Sequence, residues 1–383
     1  MPGTRRLGER RAVSGRATRS DAIPRPKSVH DWAMRSPEPA PREVDCVVVG
    51  GGAAGLSAAV NLGRMRRSVL LVDERDRFLW VHVAHNLLGF PDGIQGVEIR
   101  RLGWRHAAKY GVQLLLGHVA TATLEGDRFR LRIERLPEGG AWAHRPGPSV
   151  PRDEEMARMF GEVSEAGPIE VVARTVILAT GVFGHFPEFP GRDECVGRSL
   201  FWCIHCEGYE SIGRVVAVVG HDEEAVQTAL DLLVFTDRVT MVAGRPEGFE
   251  VPASRLAHLA RNGIAAYPWG VAEYENRDGQ MQALVLDDPQ RTRIPVEQVY
   301  TIRRTRATNE LARQLGLELN PLGQIVVTSE QQTNVPGLYA AGDATSLHDH
   351  QLSAAVHEGN QAACAANYHL YPLVGRAQDD TKR

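Results

Sequence analysis

Cysteine is scarce in this chain, which has five among 383 residues. A disulfide scaffold needs a much denser set, so the sequence predicts a reducing, cytoplasmic setting. The net charge is only −3, which gives no reason to expect nucleic acid as a ligand. Long uncharged runs are scarce too. The stretch from Cys46 to Gly63 carries no charge, but glycines divide it into strand, turn and helix, and it is short for a membrane span. We therefore expect a soluble protein with no membrane partner.

The remaining composition is that of an ordinary folded protein. Hydrophobic residues make up 43% and charged residues 24%, and the length suits about two domains. Residues 1–43 differ, because they carry ten basic and five acidic residues with little apolar periodicity, which predicts a disordered basic tail. The tail lacks the apolar segment of a secretory signal. Two alternative interpretations of residues 1–43 are an organellar transit peptide and an over-extended start, in which the true first residue is Met34.

A pattern typical of a nucleotide-binding βαβ unit follows the tail. A β-branched run predicts a buried strand, residues 50–55 read GGGAAG and match GxGxxG, and an alanine-rich helix leads to a second strand that ends at Asp73. In such a unit Gly50 permits the tight turn, Gly52 lets a pyrophosphate approach the backbone, and Gly55 lets the helix pack on the strand. The helix N-terminus faces the phosphates, and Asp73 accepts hydrogen bonds from ribose hydroxyls. This fingerprint does not distinguish FAD from NAD, and a ligand-free glycine turn is the alternative.

Two of the cysteines, Cys203 and Cys206, form a CxxC motif just before a second βαβ pattern. In a cysteine-poor protein this motif indicates a thiol–disulfide pair. The spacing lets one helical turn bring both sulfurs together, and a helix N-terminus or a protonated His205 would lower a thiol pKa. A structural zinc site needs four ligands and the other cysteines are single, so zinc is one alternative and two inert buried thiols are another.

The second βαβ pattern keeps its strands and helix but not its phosphate loop. Gly220 occupies the first fingerprint position, whereas Asp222 occupies the second. A side chain there blocks close approach to the backbone, and a carboxylate repels a pyrophosphate. Glu223 and Glu224 add negative charge at the start of the helix. The sequence therefore predicts a second dinucleotide-type domain whose nucleotide site is degenerate.

Three further segments carry a family resemblance. Val335–Asp343 reads VPGLYAAGD, Val176–Gly181 reads VILATG, and the CxxC motif is followed by Glu207 and Gly208. With the first fingerprint, and in this order, the chain resembles the low-molecular-weight thioredoxin reductases, which are FAD-dependent disulfide oxidoreductases. The resemblance implies an α/β fold of two Rossmann-like (three-layer ββα) dinucleotide-binding domains, the second inserted into the first. It also implies a homodimer.

The resemblance also implies roles for single residues. Cys206 would exchange electrons with the flavin, Cys203 would attack the substrate disulfide, and Glu207 would be the proton donor where the family has aspartate. His350 and Gln351 match an Arg-Gln pair that lies over the flavin. No metal is expected. The FAD contacts implied by the fingerprint and by the resemblance are Gly50, Gly52, Ala54, Gly55, Asp73, Thr180, Gly181, Gly342, Asp343 and Gln351.

Departures from the family pattern concern the electron donor. Where the family usually has two arginines for the 2′-phosphate of NADPH, this chain reads Ala243-Gly244-Arg245. NADPH is therefore a doubtful cofactor, unless Arg245 or Arg214 compensates. The loss resembles two subgroups. One comprises reductases that take electrons from ferredoxin or an unknown donor, and the other comprises FAD-dependent dithiol oxidases that pass electrons to dioxygen.

Motif order and composition together predict the domain organisation. Residues 137–168, rich in glycine, proline and charge, predict an inserted loop. His82 and His85 lie in the loop after Asp73 and are candidates to contact flavin or substrate, or else are hydrogen-bonded loop histidines. The predicted segments are a basic tail (1–43), an FAD-binding domain in two parts (44–187 and 302–373), a central CxxC domain (188–301) and a C-terminal tail (374–383).

The predicted function is that of a thioredoxin-reductase-like FAD-dependent dithiol/disulfide oxidoreductase that works without NADPH. Electrons would pass between flavin, the Cys203–Cys206 pair and an external substrate, either a thioredoxin-like protein or a small dithiol or disulfide. Ferredoxin or dioxygen would be the electron partner. The alternatives are an oxygen-dependent dithiol oxidase of natural-product biosynthesis and a non-catalytic flavin redox sensor.

Overall fold

The computed structural model describes residues 43–74, 83–135, 167–184, 186–302, 305–345 and 350–371. The predictions for the basic tail, for most of the 137–168 insertion, for His82 and for the C-terminal tail fall outside these residues. None of the helices in this described part combines the length and the apolar composition needed to cross a membrane.

Strands and helices alternate along much of the chain. The strands are β1 (Glu43–Val49), β2 (Val69–Asp73), β3 (Val83–Ala84), β4 (Ile94–Gln95), β5 (Gln113–Glu125), β6 (Arg128–Arg135), β7 (Ile169–Leu178), β8 (Val182–Gly184), β9 (Leu200–Phe201), β10 (Val216–Val219), β11 (Val239–Val242), β12 (Ala265–Tyr267), β13 (Val271–Arg277), β14 (Gln280–Leu286), β15 (Arg293–Pro295), β16 (Gln298–Thr301), β17 (Thr305–Ala307) and β18 (Leu338–Ala340). The helices are α1 (Ala53–Arg64), α2 (Gly96–Lys109), α3 (Arg192–Cys195), α4 (Ile204–Glu207), α5 (Glu223–Asp231), α6 (Ala253–Arg261), α7 (Glu310–Gln314) and α8 (Leu352–His369).

The first sheet has a parallel centre. β5, β2, β1, β7 and β18 lie side by side in parallel, and β6 joins β5 and β7 in antiparallel pairing. The central strands are valine- and leucine-rich because both faces are covered, as parallel sheets require. On one face α1 packs against α8, and a Cβ on Gly359 of α8 would collide with the carbonyl oxygen of Ala54 in α1. Glycine at this position therefore lets the last helix lie directly on the first.

The second sheet repeats this arrangement in the middle of the chain. β12, β11, β10, β16 and β9 are all parallel, and β13, β14 and β15 form a separate antiparallel sheet. The helix α5 connects β10 to β11, as α1 connects β1 to β2. The chain then returns to the first sheet and adds β18. The structure thus confirms the predicted α/β fold, with two Rossmann-like units and the second inserted into the first.

Candidate active site

Steric constraints fix the glycine loop between β1 and α1. Gly50 has a φ of +106°, which L side chains rarely adopt, and a Cβ there would collide with the carbonyl oxygen of Ala179. A Cβ on Gly55 would collide with the carbonyl oxygen of Gly50. Gly52 is the N-cap of α1, and it offers the helix no side-chain hydrogen bond. The positive end of the α1 dipole is therefore available to an anionic group.

Asp73 lies at the end of β2 against this loop. A Cβ on Gly51 would collide with its carboxylate, so the acid and the loop are in direct contact. The carboxylate is ion-paired with Arg100 of α2, and both residues are buried. The Trp104 ring packs one turn further along α2, with its centroid 4.6 Å from the Arg100 guanidinium carbon. Arg100 thus holds the carboxylate at the place that the sequence predicts for the ribose contact.

A second loop carrying an acid follows β18. Gly342 has a φ of +76° and begins the short 3₁₀ turn Gly342–Ala344, which includes Asp343. The buried Glu358 side chain of α8 accepts hydrogen bonds from the Gly342 amide at 2.6 Å and from the Thr345 hydroxyl at 3.2 Å. This carboxylate therefore fixes the turn that presents Asp343.

Thr180 and Gly181 continue from the end of β7. Gly181 has a φ of +66°, and its carbonyl accepts a hydrogen bond from the Thr308 amide at 3.1 Å. The Thr180 hydroxyl donates to the Thr308 carbonyl at 2.7 Å. Because β7 lies between β1 and β18 in the sheet, these two residues lie between the two loops.

These segments meet where FAD would bind. They lie at the carboxyl ends of β1, β7 and β18, the edge at which open α/β sheets bind ligands. An uncapped helix N-terminus suits a pyrophosphate, and the Asp73 carboxylate suits a ribose diol. A Cβ on Gly342 would lie 2.9 Å from the Cβ of Ala54, so the Asp343 turn lies against the start of α1. The residues present therefore fit FAD.

The two motif cysteines form a disulfide, Cys203–Cys206, with Cα atoms 5.3 Å apart. Cys203 is the N-cap of the short helix α4 and Cys206 lies within it. The Gln351 side-chain amide, at the N-cap of α8, donates to Cys206 Sγ at 3.4 Å and to Cys203 Sγ at 3.7 Å. Asn86 donates to Gln351 Oε1 at 2.9 Å. The disulfide of the second unit therefore contacts the start of the last helix of the first unit.

Glu207 completes the cluster around the disulfide. One of its carboxylate oxygens and the two sulfurs lie within 4.8 Å of one another. Burial, and to a smaller extent the nearby Glu210 charge, together raise the pKa of Glu207 to about 8. Its Oε2 atom is buried and has no hydrogen-bond partner among the described residues. A carboxyl group in this state carries a proton at neutral pH and can transfer it to a sulfur.

The geometry around the disulfide does not favour a zinc site. Among the described residues the cluster offers three candidate ligand side chains, and its two sulfurs are joined in a disulfide, so it does not form a four-ligand zinc site. The His205 side chain is exposed. His85, the described member of the histidine pair in the loop, is also exposed.

The protein's own side chains bind one another and the helix amides at the start of α5, where a second nucleotide would bind. Asp222 is the N-cap of α5, and its carboxylate accepts from the Ala225 amide at 3.1 Å. Arg245 is 2.7 Å from the Glu250 carboxylate and also donates to the Gly248 carbonyl at 2.9 Å. A cavity of about 170 Å³ remains at the ends of β10 and β16, with Asp222 in its lining. Arg214, the other predicted compensating cation, is 2.9 Å from Glu297.

Sequence reasoning did not identify several residues that contact the predicted ones. Arg100, Asn86 and Glu358 contact Asp73, Gln351 and the Gly342 turn, which are 27, 265 and 16 positions away in the chain. A weak signal exists for two of them, because Arg100 falls among apolar positions of α2 and Glu358 among alanines of α8. Asn86 lies in an irregular loop and gives no such signal.

Comparisons with known proteins identify relatives of this chain. An alkyl hydroperoxide reductase component of Xanthomonas campestris pv. phaseoli is 28% identical over 347 residues, covering 88% of this chain and 59% of that protein. Thioredoxin reductase from Bacillus subtilis (strain 168) is 24% identical over 337 residues, covering 86% of this chain and 95% of the relative. The chain thus spans about three fifths of the first relative and nearly all of the second.

A solved structure has a similar fold. The putative thioredoxin reductase TrxB from Bacillus anthracis superposes with a TM-score of 0.69 at 23% identity, covering 85% of this chain and 97% of that one, a likeness that concerns the fold. The family model described as "Pyridine nucleotide-disulphide oxidoreductase" matches residues 44–363. The chain therefore belongs to the pyridine nucleotide-disulphide oxidoreductase family.

Proposed function

We propose that this protein exchanges electrons between FAD and an external thiol or disulfide through Cys203–Cys206, and that NADPH is not its reductant. The observation that supports the first part is the contact of Gln351 with both sulfurs, because it brings the redox pair to the edge of the predicted FAD site. Bound FAD would supply the two-electron exchange with the pair. The protein's residues supply position, nucleophile and proton.

Thiol–disulfide exchange with substrate follows from the cysteine chemistry. In the reduced state the Cys203 thiolate attacks one sulfur of a substrate disulfide and forms a mixed disulfide, releasing the first substrate thiolate. The Cys206 thiolate then attacks Cys203 Sγ, which restores the protein disulfide and releases the second substrate thiolate. Glu207 transfers a proton to a leaving thiolate, and solvent supplies the other. The net change converts the protein dithiol and a substrate disulfide into the protein disulfide and a substrate dithiol.

The proposal that NADPH is not used rests on Asp222. A phosphate bound at the N-terminus of α5 would have to displace its carboxylate from the Ala225 amide and then lie beside it. Two like charges about 4 Å apart repel by roughly 4 kcal/mol at an effective dielectric constant of 20. That energy corresponds to a loss of affinity on the order of a thousandfold. Arg245 does not offset this loss, since Glu250 already neutralises it.

An oxygen-dependent dithiol oxidase is the second candidate, favoured by the same observation. An oxidase takes electrons from a dithiol and delivers them to dioxygen, so it has no need of a nicotinamide site. A thioredoxin-like protein and a small dithiol are both possible substrates for the pair, and ferredoxin remains a proposed electron donor. We also propose a cytoplasmic homodimer, on the family resemblance.

Anaerobic reduction of the flavin tests the proposal. Purified protein is titrated with NADPH, NADH, dithiothreitol and reduced ferredoxin while the flavin absorbance is recorded. We expect bleaching by the dithiol and little by either nucleotide, and readmission of air reports whether dioxygen reoxidises the flavin. Rapid bleaching by micromolar NADPH would refute NADPH independence. Bleaching by none of the reductants, including reduced ferredoxin, would favour the non-catalytic redox sensor.

The Asp222→Gly variant tests whether the Asp222 carboxylate at the N-cap of α5 weakens the binding of NADPH. Replacing an N-cap aspartate by glycine costs the helix only a few tenths of a kcal/mol, so the variant should fold. We expect it to bind NADPH at least tenfold more tightly than the wild type. Asp278→Gly is the matched control, because Asp278 is exposed in the same unit and its φ of +52° suits glycine. Equal gains in both variants would show that general charge, not the helix terminus, controls affinity.

A further inference from the structure

A second carboxyl group, that of Glu210, lies close in sequence to the redox motif. Glu210 follows Glu207 by three residues, in the 3₁₀ turn Tyr209–Ser211 that comes directly after α4. Its Oε2 atom is buried and, like that of Glu207, has no hydrogen-bond partner among the described residues. Two acids with buried oxygens that lack partners among the described residues therefore follow one another in successive helical turns after the redox motif.

A hydrogen-bonded network holds this turn against the second sheet. The Ser211 hydroxyl donates to Gln298 Oε1 at 2.6 Å and lies 2.9 Å from the Tyr300 hydroxyl. The Gln298 amide donates to the Glu210 carbonyl at 3.1 Å. Ser211, Gln298 and Tyr300 are all buried. The backbone that carries Glu210 is thus anchored to β16. Gly208 has helical dihedral angles, so Glu207 and Glu210 are three residues apart in consecutive helical turns, the spacing at which side chains are neighbours.

The electrostatic surroundings contain acids but no cation that pairs with them in the described part of the chain. Tyr300, the titratable group that faces this space from β16, has a raised pKa because of burial and the charges of Glu207 and Glu210. Glu210 likewise raises the pKa of Glu207. A nearby negative charge disfavours a carboxylate, so the Glu210 charge adds to burial in favouring the protonated form of Glu207.

We propose that Glu210 is a positioning residue for the proton of the redox step: its negative charge keeps Glu207 protonated, ready to donate to a cysteine sulfur. This inference rests on the proposed thiol–disulfide exchange and assigns a role to a residue outside the CxxC motif. An uncharged residue at position 210 would leave Glu207 with burial alone to hold its proton.

The step balances when an external dithiol reduces the protein disulfide. One thiolate of the dithiol attacks Cys203 Sγ, the Cys203–Cys206 bond breaks, and Cys206 leaves with the bonding electron pair. Glu207 gives its proton to Cys206, and the resulting Glu207 carboxylate is repelled by Glu210. The second dithiol sulfur then displaces Cys203, its proton passes to solvent, and Glu207 is reprotonated from solvent. The dithiol is oxidised to a disulfide and the protein pair is reduced.

Glu210→Gln tests the proposal through two measurements. Carboxyl ¹³C NMR of the oxidised protein labelled at glutamate follows the titration of Glu207, which Glu207→Gln identifies by loss of its signal. The rate of disulfide reduction by dithiothreitol, corrected for thiolate fraction, gives a pH profile with a descending limb where Glu207 ionises. In Glu210→Gln we expect both the titration midpoint and this limb to move to lower pH by about one unit or more, because one like charge is removed.

Two further variants separate charge from structure. Glu210→Asp keeps the charge and should titrate closer to the wild type than Glu210→Gln does. Glu273→Gln removes one exposed acid on β13, and its NMR titration and pH profile should match those of the wild type. The proposal is overturned when Glu210→Gln titrates as the wild type does, or when Glu210→Asp behaves as Glu210→Gln. The NMR titration decides this even where dithiols fail to reduce the pair, a failure that would refute the proposed function instead.

Discussion

Glu207→Gln should make the protein more stable at alkaline pH while it impairs proton transfer. The pKa of Glu207 is raised to about 8 from its ordinary value of 4.5, chiefly by burial. The folded state therefore binds this proton more tightly than the unfolded state does. The contribution of Glu207 to stability is fully present below pH 4.5 and is lost as pH rises through 8.

The magnitude follows from the difference between the folded and unfolded pKa values. Each unit is worth 1.36 kcal/mol, so the free energy of unfolding falls by about 4–5 kcal/mol between acid and alkaline pH on account of Glu207. Glutamine cannot ionise and keeps nearly the same shape, so the variant lacks this loss. For a protein of this size, that difference in free energy corresponds to a shift in the thermal unfolding midpoint on the order of 10 °C.

Differential scanning calorimetry of the oxidised protein across this pH range measures the effect. The midpoint difference between Glu207→Gln and the wild type should be small near pH 5 and should grow until about pH 8, with a plateau above. Glu273→Gln, which changes an exposed acid, should show no such growth. A constant difference between wild type and Glu207→Gln over the whole range would refute the assignment of a buried, protonated carboxyl group.

Two other predictions concern the residues that contact the disulfide. Cys203→Ser and Cys206→Ser should each abolish turnover with thiol or disulfide substrates while the flavin stays bound, measured by absorbance and steady-state assay; full activity in either variant would contradict the redox assignment. Gln351→Ala removes the amide that donates to both sulfurs, and since a hydrogen bond contributes about 1 kcal/mol, flavin reduction by dithiols in stopped-flow experiments should slow by about fivefold. Asn86→Ala should slow it less, because Asn86 acts only by orienting Gln351, and Gln282→Ala, on the far antiparallel sheet, should leave the rate unchanged.

Local pattern was sufficient to predict the two Rossmann-like units. The fingerprint glycines, the β-branched strands and the following helices are adjacent in sequence, so their periodicity and spacing carry the fold. The disulfide was predicted for the same reason, since Cys203 and Cys206 are separated by three positions. Short-range geometry leaves few other arrangements for such segments.

Local sequence patterns could not predict contacts between segments that are distant in the chain. Asn86 and Gln351 are 265 positions apart, and Gln351 is 145 positions from Cys206. No sequence spacing relates these residues, because the contact depends on how the second unit lies against the first. The Asp73–Arg100 pair is closer in sequence, yet it was missed, since an arginine in an amphipathic helix is usually solvated and here it is fully buried.

The two helix N-termini differ in the side chain at the N-cap, whereas both N-caps have an extended backbone. Gly52 has φ −77° and ψ −173°, and Asp222 has φ −110° and ψ −175°, so both N-caps are extended and equivalent. Gly52 supplies no side chain to the helix amides, whereas Asp222 supplies a carboxylate. A helix needs a hydrogen-bond acceptor at its N-terminus, and either a bound phosphate or the protein's own acid can provide it. The second unit therefore keeps a stable helix without a bound phosphate, which is the basis of our proposal that it does not bind NADPH, and membership in a family named for pyridine nucleotides does not by itself determine the electron donor.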